Sequence, residues 1–169
     1  MNNDNKKEYE RVLSIYPTKH GYSFAVLEGS QLLLDWGSVQ LRTHKNVRSL
    51  VEIRDQIDKY EVNAIVIEDH EGVGSYYRPQ RVRNLLDAIE VLGTEQSVGV
   101  YKYSRADVRS VFEMFGASTK YEIATVINSH SPTNELRMPR VRKPWMDEDR
   151  RMGVFDAISF GMTHYYLIK

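Results

Sequence analysis

Hydrophobic and polar positions alternate over short distances in the first forty residues, and the spacing becomes longer afterwards. Residues 1–10 are polar, so we expect them to form a flexible leader. Three short apolar runs follow it, at Val12 to Ile15, Tyr22 to Leu27 and residues 31–41. Only a few residues separate consecutive runs, which is typical of an antiparallel meander. The first part of the chain therefore predicts three antiparallel strands.

From residue 46 onward, apolar side chains recur at helical spacing, and two strand-like runs lie between the helical segments. We predict strands at 63–68 and 97–103, and helices at 46–60, 79–92, 105–115, 119–129 and from 147–149 to about residue 167. Gly93 and Gly116 are expected to end the second and third of these helices. The order β-β-β-α-β-α-β-α-α-α predicts one α/β domain over residues 11–169, in which a mixed five-stranded sheet carries helices on both faces.

Composition narrows the class of protein. The chain has 169 residues, of which 41% are hydrophobic and 27% charged, as in a globular domain. The absence of cysteine excludes disulfides, a thiolate zinc site and a cysteine nucleophile. No apolar run approaches the roughly 18 residues that span a bilayer, and no secretory signal is present, so we expect a cytoplasmic protein without a membrane partner. The formal net charge of zero argues against a nucleic-acid partner.

Carboxylates gather at two places. Glu68 and Asp69 end the fourth predicted strand, where open α/β sheets bind ligands. Asp149 and Asp156 are seven residues apart, which predicts that they share one face of the last helix. Asp156 lies in an apolar stretch, so its carboxylate must be paired, bind a ligand or stay solvated. The alternative is that the others are ordinary polar residues at a strand end and a helix N-terminus.

Basic residues form two clusters next to these carboxylates. One follows the fourth strand and contains Arg78, Arg81 and Arg83 together with Tyr76 and Tyr77. The other precedes the last helix and contains Arg137, Arg140, Arg142 and Lys143. Arginine and tyrosine side chains hold phosphates and stack on bases, so the clusters favour a phosphodiester partner. A solvated charged surface is the alternative. The net charge of zero thus conceals a segregation of charge along the chain.

Three segments resemble RuvC-type Holliday-junction resolvases of the RNase H-like superfamily. They are residues 11–26 (RVLSIYPTKHGYSFAV), 64–68 (AIVIE) and 156–164 (DAISFGMTH). The likeness is greatest to a bacterial and phage-type branch that shares the Ile-Tyr-Pro opening and a Lys-Pro-Trp-Met loop. The resemblance implies an RNase H-like fold, a homodimer and DNA as the partner, with RNA as an alternative.

In active members of that family, one Asp on the first strand, one Glu on the fourth and one or two Asp on the last helix hold two divalent ions. The resemblance assigns Glu68 and Asp156 to two of these places. Tyr16 stands at the first-strand place and Gly153 one turn before Asp156, and a phenol is a poor magnesium ligand. Asp149 and Asp69 are the candidate substitute ligands for one or two Mg²⁺ or Mn²⁺ ions. Tyr16 is then expected to line the catalytic site and contact the scissile phosphate.

These residues lead to one function hypothesis and two alternatives. The first is a metal-dependent endonuclease that acts on branched or structured DNA, with Glu68, Asp156, Asp149 and Tyr16 in the site. The second is a catalytically degenerate nucleic-acid-binding protein without nuclease activity, which Tyr16 and Gly153 favour. The third is an assembly subunit whose arginines pair with an acidic partner. In the first two, Arg78, Arg81, Arg83, Arg140, Arg142 and Lys143 would bind the nucleic acid.

Overall fold

The three predicted N-terminal strands form an antiparallel meander in the computed structural model, which describes residues 10–131 and 135–168. The strands are β1 (Arg11–Thr18), β2 (Gly21–Glu28) and β3 (Leu33–Gln40), and β2 pairs with both of the others. Gly21 begins β2 where the backbone of β3 comes very close, since a Cβ there would lie 2.1 Å from the Val39 carbonyl oxygen. Glycine is therefore required at the start of this hairpin strand.

Two parallel strands complete the sheet. β4 (Ala64–Glu68) pairs with β1, and β5 (Gly99–Tyr103) pairs with β4, which gives the order β3-β2-β1-β4-β5. Ile15 of β1 lies opposite Ile67 of β4. The next residues, Tyr16 and Glu68, therefore lie beside each other where β4 ends, two residues before the end of β1. The predicted mixed five-stranded α/β architecture is confirmed.

Helices cover both faces of the sheet. They are α1 (Lys45–Tyr60), α2 (Gln80–Glu95), α3 (Arg105–Glu113), α4 (Lys120–His130) and α5 (Met152–Leu167). On one face, α1 and α2 bury apolar side chains such as Ile53 and Leu85 against the sheet. On the other face, α5 lies against the strands and α3 and α4 pack around it. None of the helices in the described ranges is long and apolar enough to cross a membrane.

Two predicted helix boundaries were wrong, and each has a physical cause. The last helix begins at Met152, so Asp149 precedes it and does not share a helical face with Asp156. The Asp149 carboxylate instead accepts the backbone N–H groups of Arg140 and Arg151, each at 3.0 Å. Gly93 does not end α2, which continues to Glu95. A Cβ at Gly93 would lie 2.3 Å from Val100 Cγ2, so this glycine lets α2 approach β5.

The N-terminal segment enters the fold at its last residue. Residues 1–9 of the predicted leader lie outside the described residues. Glu10 is described, and its carboxylate lies 3.0 Å from Nε2 of the fully buried His164. His164 Nδ1 is in turn 2.9 Å from the Tyr103 hydroxyl. Glu10 is therefore anchored to α5 and does not belong to a flexible leader.

Candidate functional site

Arg105 connects the two central residues of the site. It is the first residue of α3 and only 4% exposed. Its Nη1 donates to Asp156 Oδ1 at 2.8 Å, and its Nη2 donates to the Tyr16 hydroxyl at 2.7 Å. Burial is the largest single influence and lowers the pKa of Arg105, but Asp156, Tyr16 and Glu68 together outweigh it, so the pKa lies above its ordinary value. The guanidinium is therefore a permanent positive charge inside the site.

Lys120 holds the other oxygen of Asp156. It is the first residue of α4, and its Nζ donates to Asp156 Oδ2 at 3.2 Å and to Glu148 Oε2 at 3.1 Å. Burial is the largest single influence and lowers the pKa of Lys120, but Asp156, Tyr16 and Glu148 together outweigh it, so the pKa is raised and the ammonium stays charged. Both carboxylate oxygens of Asp156, which is 3% exposed, are thus bound by cations from two different helices.

Glu68 forms an ion pair with Arg78 that is not a hydrogen bond. Its side chain is fully buried, and Arg78 Nε lies 3.2 Å from Oε2. The alignment of these two groups does not make a hydrogen bond, and neither Glu68 oxygen accepts one from the described residues. Arg78 also donates to the Pro17 carbonyl, which holds it against the end of β1. Arg78 thus brings a third cation to the site.

Tyr16 lies among the three cations. Arg78, Arg105 and Lys120 are 4.9, 5.1 and 5.7 Å from its ring centroid, close enough for cation–π attraction. Its ring stacks on Phe160, with 6.1 Å between the centroids. Burial and then the Asp156 carboxylate raise the pKa of the phenol, and the cations only partly oppose this. Tyr16 is therefore a neutral residue of the site wall at physiological pH.

The residues of this site do not fit a divalent metal. Three cations, Arg78, Arg105 and Lys120, face two buried carboxylates, Glu68 and Asp156. The third carboxylate in contact, Glu148, pairs with Lys120 but is 39% exposed, so the charge of the buried groups is positive. Mg²⁺ and Mn²⁺ bind to clusters of oxygen ligands that carry negative charge. Within the described ranges, no three His, Cys, Asp or Glu side chains come together as a metal-binding group. The donor set suits an anion instead.

Asp149 and Asp69, the two candidate substitute ligands, bind groups other than a metal site. Asp149 Oδ2 accepts from Arg151 Nη2 at 2.7 Å, and this hydrogen bond is the main reason why the pKa of Asp149 lies well below its usual range. Asp69 Oδ1 accepts the backbone N–H of Glu71 at 3.2 Å, so it shapes its own loop. Neither has a contact with Glu68 or Asp156 among the hydrogen bonds and ion pairs of the described residues. Their assignment as metal ligands stays a prediction that the geometry does not favour.

Gly153 leaves no space for a carboxylate. A Cβ at this position would lie 2.5 Å from Ser23 Oγ and 3.3 Å from Thr18 Cγ2. Ser23 Oγ is also 2.8 Å from Ser38 Oγ, so the hydroxyl is fixed by the neighbouring strand. An acidic residue at position 153 would therefore require the Ser23 side chain to move and to give up its contact with Ser38. The departure from the resolvase pattern at Gly153 is built into the packing of α5 on the sheet.

The two basic clusters differ in the solvent exposure of their side chains. In the first cluster, Arg81 donates to the Thr18 carbonyl and, at 3.0 Å, to Asn46 Oδ1, and Arg83 lies 5.9 Å from the Tyr77 ring centroid. In the second cluster, Arg140 is 74% exposed and Arg142 and Lys143 are also exposed. The second cluster therefore offers more charge to a partner, whereas Arg78 and Arg81 serve largely to hold the end of β1.

Arg105 and Lys120 were not among the predicted site residues. Each is an isolated basic residue in the sequence, so no cluster indicated it. Both stand at the first position of a helix, where the helix dipole disfavours a positive charge. A cation at that position needs a compensating anion, and this was the available signal.

Solved structures of known proteins share the fold of this chain. No protein-family model and no characterised protein sequence matches the chain. Among solved structures, Thermus thermophilus RuvC in complex with a Holliday junction substrate matches with a TM-score of 0.69 at 17% identity, over 94% of each chain. The fold is that of RuvC. A second Thermus thermophilus RuvC structure gives a TM-score of 0.68 at 18% identity, over 92% of this chain and 93% of RuvC.

A more distant RuvC-like structure also matches. The yeast mitochondrial Holliday junction resolvase Ydc2 gives a TM-score of 0.59 at 11% identity, over 92% of this chain and 78% of its own. The RNase H-like fold predicted from the sequence is therefore confirmed. At these identities the likeness concerns the fold, and the chemistry of this RuvC-like chain must be argued from its own residues.

Proposed function

We propose that this protein binds branched or structured DNA through a cationic site on a RuvC-like fold, without two-metal hydrolysis. The observation that carries the proposal is the charge of the central site, in which Arg78, Arg105 and Lys120 outnumber the two buried carboxylates, Glu68 and Asp156. Glu148, the further partner of Lys120, is 39% exposed and shares its charge with solvent. A site with excess positive charge attracts the phosphates of a nucleic-acid backbone. It repels the divalent ions that hydrolysis would need.

The exposed second cluster supports the same conclusion. Arg140, Arg142 and Lys143 lie on the segment that leads into α5, and their side chains are exposed. Arg140 Nε is 3.5 Å from Asp149 Oδ2 and Arg142 Nε donates to the Met146 carbonyl, and the other guanidinium nitrogens would reach phosphates outside the central site. The RuvC structure that matches this chain was solved with a Holliday junction substrate, which supports DNA with a branch as the partner. RNA as a partner, a homodimer and a cytoplasmic location stay predictions.

The test is binding in the absence of metal. Fluorescence anisotropy with four-way junction, duplex and single-stranded DNA, and with an RNA junction, is measured in EDTA at several salt concentrations. We expect junction binding to persist in EDTA. The double variant Arg140→Ala/Arg142→Ala should reduce the slope of log K against log salt by about 2, since each lost phosphate contact contributes about 0.9.

The matched control is Arg54→Ala. Arg54 lies on α1, on the opposite face of the sheet, and its Nη2 is 3.8 Å from Glu95 Oε2. This variant removes one surface arginine without touching the proposed interface, so its salt slope should equal that of the wild type. Failure to bind any of the four nucleic acids at low salt would refute the proposal. An equal change of the salt slope in Arg54→Ala and in the double variant would refute it as well.

A metal-dependent endonuclease is the second candidate, and one observation favours it. The two oxygens of Glu68 are buried without a hydrogen-bond donor among the described residues, which is an unusual state for a carboxylate. Cleavage of the same junctions in Mn²⁺, lost in Glu68→Ala and in Asp156→Ala, would establish this candidate. Cleavage that survives both substitutions would point to a contaminating nuclease.

A further inference from the structure

A cavity lies beside the central cations. This cavity of about 460 Å³ opens between the N-terminal ends of α3 and α4 and the segment that precedes α5. Buried apolar side chains line part of it, namely Val108, Ile123 and Met152. Two tyrosines, Tyr76 and Tyr121, line it as well, and they are 47% and 38% exposed. The cavity therefore offers apolar and aromatic surface to a ligand.

The same cavity is rich in positive charge. Five cations line it, against the two carboxylates of Glu148 and Asp149: Arg105, Arg109, Lys120, Arg140 and Arg142. Both carboxylates are already paired, Glu148 with Lys120 at 3.1 Å and Asp149 with Arg151 at 2.7 Å. The cavity is thus positive overall.

One donor at the cavity has no partner. Arg105 is 4% exposed and lines the cavity, and its Nε donates to no acceptor among the described residues. A buried, charged N–H group without an acceptor is costly, because it has lost its water and gained nothing in return. The Nε has no accessible surface, so a ligand oxygen would reach it only after the Arg105 side chain turned toward the cavity.

A bare phosphate would leave most of this cavity empty. Small-molecule sites run from roughly 300 to 1,000 Å³ and combine apolar walls with a few polar groups that fix orientation. A ligand that carries both a phosphate and a flat aromatic ring matches the cations and the tyrosines together. Aromatic side chains stack on the bases of unpaired nucleotides in this way.

We propose that this cavity binds one unpaired nucleotide, with its base against Tyr121 and the apolar wall and its phosphate against the arginines. The nucleotide is either a free nucleoside monophosphate or a residue turned out of a DNA strand, since both present the same chemistry. The second source rests on the proposed DNA binding, and the first does not. The cavity would then select DNA in which a base is already unpaired, such as the centre of a branch.

The experiment compares ligands with and without the base. Isothermal titration is carried out with adenosine 5′-monophosphate, adenosine and inorganic phosphate. Anisotropy is measured with a duplex that carries one extrahelical nucleotide and with the same duplex that carries an extrahelical abasic site. We expect about a tenfold preference for the ligand with the base, in the range that base–aromatic stacking provides. The preference should be lost in Tyr121→Ala and kept in Tyr121→Phe.

Tyr166→Ala is the matched control, because Tyr166 is also 38% exposed and lies outside the cavity lining. Tyr76→Ala gives a second truncation of the wall, should Tyr121→Ala fold poorly. Equal binding of phosphate and nucleotide, or of abasic and nucleotide duplex, would overturn the proposal and leave an anion site only. A base preference that both truncations retain would overturn it as well. Nucleotide binding without any DNA binding would support this inference and refute the proposed function, so the two failures are distinguishable.

Discussion

Replacement of Asp156 by asparagine gives opposite results for a cationic site and for a metal site. In a metal site, carboxylates that repel one another destabilise the empty protein, and removal of one relieves the repulsion. Here the Asp156 carboxylate neutralises Arg105 at 2.8 Å and Lys120 at 3.2 Å, and it is 3% exposed. An asparagine side chain in its place would keep the shape, leave Arg105 without its anion and leave Lys120 with Glu148 alone. The substitution should therefore destabilise the fold.

The magnitude follows from the burial of the pair. Breaking a buried ion pair by removing one partner costs roughly 3–5 kcal/mol. Lys120 would retain Glu148 as a partner, so we expect the lower end, about 3 kcal/mol. At about 2–4 °C per kcal/mol for a chain of this size, the melting temperature should fall by roughly 6–12 °C. Urea unfolding followed by circular dichroism measures the free energy directly.

A matched control separates burial from charge. Glu148→Gln removes an anion from the same lysine, but the Glu148 side chain is 39% exposed. Its cost should stay below about 1 kcal/mol, as for exposed ion pairs. In the Asp156→Asn background, Arg105→Met should also cost less than it does in the wild type, with a coupling of about 1–3 kcal/mol. An Asp156→Asn protein as stable as the wild type, or more stable, would refute the assignment of these cations.

Two further predictions concern the start of α5. Gly153→Ala should lower the free energy of unfolding by about 1–3 kcal/mol because its Cβ would overlap Ser23 Oγ. Addition of Ser23→Ala to the same chain should recover part of this loss in a thermal melt. A Gly153→Ala protein as stable as the wild type would show that β2 and its side chains adjust at little cost. Asp149→Asn should cost about 1 kcal/mol at pH 7, the usual worth of a carboxylate that accepts N–H groups at a helix start. Because folding lowers the pKa of Asp149, the wild type's advantage is full above the unfolded pKa of about 3.9 and is lost as the pH falls through the folded pKa. The gap between the two proteins in urea unfolding should thus be smaller at pH 3 than at pH 7, and an equal gap would contradict this.

The fold could be predicted because its signals are local. Strands show apolar runs between turns, helices show their period, and the order of the elements limits the possible topologies. The start of α5 was missed because Asp149 looks like a residue of the first helical turn, whereas its carboxylate accepts N–H groups at the helix start. The role of Gly93 was missed because a close approach between α2 and β5 leaves no mark on neighbouring residues.

The site could be predicted only in part, because only some of its residues are marked by a local pattern in the sequence. Glu68 ends β4 and Tyr16 lies near the carboxyl end of the adjacent strand β1, a neighbourhood that the strand pattern allowed us to expect. The cations that define the chemistry come from other helices. Arg105 and Lys120 are 51 and 36 residues away from Asp156 in the chain, and no local pattern connects them. Their distance in sequence hid the fact that Asp156 has partners.

The departures from the resolvase pattern are linked to one another. The neutral phenol of Tyr16 accepts a hydrogen bond from Arg105. A metal ion bound at the place of this phenol would be repelled by the positive charge of Arg105. Arg105 and Lys120 then compensate Asp156, so the carboxylate can stay buried without an ion. Restoring a carboxylate at Tyr16 alone would give Arg105 a second anion and would leave the cations in place. The proposed binding of phosphate in place of a metal ion therefore rests on the cations as much as on the absence of a carboxylate at Tyr16.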